Sequence, residues 1–135
     1  MNISKYSAFF HDGSLMDIKH VNNIIELSMS SAEVDEEEDI KGGIPLSKDN
    51  CIQGKLHVEG VKMLKISNKL IQGKFKKIYD NGSIINFQII DPFVRLAIDW
   101  NNYPPNPPID EFEIILIEAE KIWWENIPDL GDLYP

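Results

Sequence analysis

Disulfide chemistry is missing from this chain. Among its 135 residues only Cys51 is a cysteine, so no internal crosslink can form. A lone thiol fits a reducing compartment, and no nucleophile motif surrounds it. Histidine is scarce too. His11, His20 and His57 are never three or four residues apart and have no cysteine pair beside them. Zinc sites announce themselves by such spacing, so neither a metal nor another cofactor is expected. No apolar run approaches the roughly 18 residues of a spanning helix. The opening MNISKYSAFF lacks the basic-then-apolar order of a secretory leader. The reading is of a cytosolic protein without a membrane partner. Basic residues are in deficit, 13 against 22 acidic ones, for a net charge of -9. Such a field repels nucleic acid and favours a basic protein partner.

Catalytic signatures are absent as well. No serine sits in a nucleophile elbow, and no glycine-rich loop opens a helix as a phosphate cradle. The run DEEED at 35–39 lacks the glycine hinge and alternating ligands of a calcium loop. Its carboxylates read as solvated charge.

What is present is alternation. Hydrophobic residues make up 43% of the chain, enough for one globular domain over 1–135. CIQGKLHV sets Ile52, Leu56 and Val58 opposite Cys51, Gln53, Lys55 and His57. VRLAIDW sets Val94, Leu96, Ile98 and Trp100 opposite Arg95, Ala97 and Asp99. Ile25, Leu27 and Met29 form a third apolar face, and Ile85, Phe87 and Ile89 a fourth. A period of two with one wet face is the mark of antiparallel strands. Asp12-Gly13, Asn22-Asn23 and Asn81-Gly82 read as hairpin turns, since these residues tolerate positive φ. Strands are expected near 5–11, 14–21, 24–32, 50–59, 61–67, 70–79, 84–90 and 93–100, with a ninth at 111–124.

Two stretches interrupt the rhythm. Residues 32–50 read as a long acidic loop, and NNYPPNPPID at 101–110 as a stiff surface connection rich in proline. EFEIILIEAEKIWWENI reads as a long strand in which Ala119 and Trp123 continue the face of Ile115 and Ile117. A short helix within 118–126 is the alternative. The expected fold is mainly all-β: an antiparallel sandwich or partly open barrel of about eight or nine strands, with room for one short helix near the C-terminus.

Several groupings could carry function. His11, Asp12, His57 and Glu118 would be the polar residues of a ligand-binding or hydrolytic barrel. His11, Asp12 and His57 with Glu33 would make an ion site. Asp99 with Glu118 or Glu120 offers the paired carboxylates of a glycosidase. Adjacent tryptophans cannot both face a strand's core, so one of Trp123 and Trp124 looks outward or lies under the YPPNPP loop. An outward indole flanked by Glu120 and Glu125 would anchor a partner.

The order FHDGSLMDIKH, NNIIELSMSSAEV, GKLHVEGV, DNGSI and PPIDEFEIILIEAEKIWWENIPDL resembles a family of small acidic, β-rich bacterial proteins of unknown function. Proteins of this kind are similar to the immunity proteins of bacterial toxin systems, which bind a toxin domain and block it. The resemblance implies a cytosolic, non-catalytic binding protein with a basic partner and assigns no active-site residue. On this reading Asp35, Glu36, Glu37, Glu38, Trp123 and Trp124 meet the partner. A structural homo-oligomer, joined by edge strands or by the tryptophan pair, is a further reading.

Overall fold

The alternating segments resolve into seven strands in a computed structural model that describes residues 2–34 and 43–134. They are β1 (Ser14–Val21), β2 (Ile24–Glu33), β3 (Cys51–Ile66), β4 (Lys69–Leu70), β5 (Asn81–Ile90), β6 (Phe93–Asn101) and β7 (Glu111–Asn126). Every pairing is antiparallel. The order is β2-β1-β5-β6-β7-β3-β4, and β2 also pairs with β3. That last pairing returns the order to its start. Six strands therefore close a ring, and β4 is a two-residue flap on the long β3. The all-β fold is the one expected, in its barrel form and with seven strands rather than eight or nine.

The inward faces follow the alternation. Ile25, Leu27, Met29, Ile52, Leu56, Val58, Val94, Leu96, Ile98, Ile115 and Ile117 are all fully buried. Six strands enclose less space than the eight that just accommodate side chains, so these residues fill the ring. Two glycines make room for the largest of them. A Cβ at Gly54 would press on the Trp124 indole, and one at Gly82 would press on the Trp100 indole. This explains why Asn81-Gly82 opens β5 instead of making the expected turn. The glycine is spent on letting a neighbouring strand's indole lie flat. The Asn22-Asn23 turn does form, with Asn22 at φ 55°.

Bulges shift the faces where strict alternation fails. An irregularity between Ile84 and Asn86 puts Ile84 and Phe87 in the core and leaves Ile85 outside. The expected Ile85–Phe87–Ile89 face is corrected accordingly. Residues 50–59 and 61–67 are one strand, β3, whose register with β7 shifts between Val61 and Met63. In β7 the inward set runs Ile115, Ile117, Ala119 and then Trp124. Trp124, not Trp123, therefore joins the core, and the whole of 118–126 is strand. A short 3-10 helix follows at Leu130–Leu133.

Two expected strands are not strands. Of residues 5–11, all but His11 belong to a 3-10 helix, Ile3–Phe10, which His11 caps. Its three-residue turn aligns Ile3, Tyr6 and Phe9 along one side against the core. Of 70–79 only Leu70 is in a strand, and the rest is irregular. Both segments flank the narrowest join of the ring. β1 and β5 share only Ser14↔Ser83 and Leu15↔Gly82. Backbone bonds of 2.9 Å from Asp12 N–H to the Ile84 carbonyl and from Ile84 N–H to the Gly13 carbonyl extend the join slightly. On one side of it the helix packs on β5 and β2 and buries Phe10 edge-on to Phe87 and Trp124. On the other, Phe75 is buried while its N–H donates to His20 Nδ1 at 2.9 Å.

Candidate functional site

The outer surface of β2, β3 and β7 carries a grid of polar and aromatic side chains. Register fixes its rows. Glu26 lies opposite His57, and His57 opposite Trp123. The row on one side is Ser28, Lys55 and Glu125, and on the other Ile24, Glu59 and Lys121. The polar contacts run along the diagonals, which long side chains on neighbouring strands can reach. Lys55 Nζ is 2.9 Å from Glu26 Oε1. His57 Nε2–H donates to Glu125 Oε1 at 2.8 Å. Trp123 Nε1–H donates to Glu59 Oε2.

The centre of the grid is a stack. The His57 and Trp123 rings lie 4.0 Å apart at an interplanar angle of 9°. His57 Nδ1 is 3.9 Å from Glu26 Oε2, so both ring nitrogens face carboxylates. Trp123 is still 38% exposed, against 4% for Trp124. The outward indole expected from the tryptophan pair is Trp123. Burial raises the Glu26 carboxyl, but the hydrogen bond and charge of Lys55, with His57 and Lys19 nearby, hold it below its ordinary 4.5. The hydrogen bond to Glu26 lifts Lys55 above its ordinary 10.5. Lys55 and Glu26 thus form an ion pair on the outer face of the sheet.

The proline-rich loop does not cover either tryptophan of the pair. It is held at the start of β5 by Asp80. That carboxylate accepts from Tyr103 N–H at 2.8 Å and from Asn106 Nδ2 at 2.9 and 3.0 Å. Asn106 and Tyr103 thereby hold the Asp80 carboxyl below its usual value. The expected lid over the indole is thus corrected: the short side chains of Asn102 and Asn106 fold the loop onto residues 80–81 instead.

The remaining sequence candidates lie apart from one another. His11 and Asp12 are exposed beside β5, where His11 Nδ1–H donates to the Ile85 carbonyl at 2.6 Å. β5 and the strand of His57, β3, stand on opposite sides of the ring. Glu118 pairs with Phe93, whereas Asp99 pairs with Phe112. Six register steps separate those pairs, about 20 Å along the strands. Glycosidase carboxylates stand about 5–9.5 Å apart, so Asp99 and Glu118 do not form that pair, and Glu120 lies farther along still. Among the described residues no three of His, Cys, Asp and Glu gather to hold a metal. Burial pushes the Cys51 thiol up, away from the thiolate a nucleophile needs. Asp35, Glu36, Glu37 and Glu38 lie outside the described residues.

Alternation alone places Lys55 and His57 on one outer face and Glu26 on another. It does not show that the three meet. That depends on the β2–β3 and β3–β7 registers, which join residues 31 and 68 positions apart respectively in the case of Glu26–His57 and His57–Glu125. No family model, curated protein or solved structure matches this chain.

Proposed function

We propose that this chain is a small cytosolic, non-catalytic protein-binding module of the immunity type, which neutralises a basic toxin domain. The observation that carries this reading is the half-exposed Trp123, stacked on His57 and framed by Glu26, Glu59 and Glu125 on a rigid three-strand face. A flat indole costs little side-chain entropy to bury, and tryptophan is enriched among residues that dominate interfaces. The acidic frame and the net charge of -9 would speed encounter with a basic surface. The filled barrel interior supports binding from outside rather than a ligand chamber within.

The test is association kinetics with a basic toxin domain encoded beside this chain. Replacing Asp35, Glu36, Glu37 and Glu38 by their amides is expected to slow association and flatten its salt dependence. Association that is indifferent to both salt and these four charges would count against an electrostatically guided partner.

A further inference from the structure

Trp123 has two faces, and His57 covers one of them. Beside the indole runs an open groove of about 590 Å³, lined by Ile89, Asp91, Glu120, Lys121, Ile122 and Trp123 among others. Apolar side chains share its lining with two carboxylates and the Lys121 ammonium. The ring already has a cation of this chain near it, with Lys121 Nζ 6.0 Å from the centroid. That is the outer range of a cation–π contact, and because His57 covers one face of the indole, this ammonium lies over the other. The Glu59 carboxylate on the indole N–H pulls the ring's N–H dipole toward itself and adds negative potential at this edge.

We infer that this groove seats an arginine side chain of a basic partner, with its guanidinium displacing the Lys121 ammonium from the Trp123 face that His57 leaves uncovered and its charge met by Glu120 and Asp91. The aliphatic stem would lie along Ile89 and Ile122. Arginine suits the site better than lysine, because a planar, weakly hydrated guanidinium stacks on an indole and can engage a carboxylate at the same time. The inference rests on the binding-module reading and specifies the chemistry of its partner at one point.

The test uses the full chain and an arginine pentapeptide, followed by the three indole N–H resonances. The Trp123 signal is expected to move on titration while those of Trp100 and Trp124 stay still, and a citrulline pentapeptide should move none. The double variant D91N/E120Q is expected to bind the peptide roughly fivefold more weakly. D129N/D132N, which removes the same two charges from the C-terminal turn, should leave binding unchanged. A Trp123 signal that does not respond, or equal losses from the two charge pairs, would overturn the inference. A toxin domain that binds D91N/E120Q as tightly as the parent but loses affinity for Trp123→Ala overturns the arginine site and leaves the binding-module reading standing. A Trp123 response to the peptide, with no toxin domain bound, upholds the site and removes that reading.

Discussion

The β3–β7 ladder and the β1–β5 join close the same ring by different means. The ladder runs from Gly54↔Asn126 to Ile66↔Ile115, eleven paired residues with one register shift between Val61 and Met63. The join has two paired residues and depends on what packs beside it: the 3-10 helix with Phe10 and the 71–80 segment with Phe75. A long ladder holds side chains in fixed rows, which recognition requires. A short join held by aromatic plugs can open locally without disturbing the far side. The candidate site lies on the ladder, across the ring from the join.

The largest expected effect tests the ladder's inner face. Trp124→Ala removes an indole that packs on Gly54 and Phe10, and should cost about 3–5 kcal/mol in denaturant unfolding. Phe75→Ala tests the join and should cost about 3 kcal/mol, toward the low end for a buried aromatic because irregular chain can settle into the space. The sharper readout is hydrogen exchange. Ser83 and Ile84 amides should exchange faster in that variant while those of Leu56 and Val58 keep their protection. Equal acceleration on both sides would show that the ring opens as one unit.

A smaller effect concerns the ion pair on the ladder's outer face. The Glu26 carboxyl is depressed in the folded chain, so its contribution is complete above its unfolded value near 4.5 and is lost as pH falls through the lower folded value. Lys55 is raised, so its contribution is complete below 10.5 and is lost as pH rises through the higher folded value. Glu26→Gln should therefore lose stability at pH 7 and show a flatter acid limb than the parent. Identical acid limbs would mean that the pair adds nothing to folding.

The two regions were also unequally legible in the sequence. Strands of the ladder could be read because Ile52, Leu56 and Val58 share one parity with Gln53, Lys55 and His57 between them, and because Ile114, Ile115 and Ile117 make an apolar, β-branched run. The join could not. Phe9 and Phe10 next to a turn look like a strand end, yet Ile3, Tyr6 and Phe9 repeat every three residues, which is the spacing of the 3-10 helix they form. Asn81-Gly82 carries a strong local turn signal, and the Trp100 indole from the neighbouring strand overrides it. That one of the two adjacent tryptophans faces outward followed from their adjacency, but which one did not, since parity put Trp123 with Ile115 and Ile117 and the structure turns it outward. Nor did its partners, because Glu59 and His57 reach it only through a register set 64 or more residues away along the chain.

Trp123 and Trp124 separate function from folding most directly. Trp123→Ala removes an indole that contacts only the outer grid, so the midpoint of thermal unfolding should shift little, within about 1 kcal/mol of the parent. Its affinity for the basic toxin domain, measured by calorimetry, should fall at least tenfold, as expected for an aromatic at the centre of an interface. An unchanged affinity in that variant, with the fold intact, would contradict a binding face built around this residue.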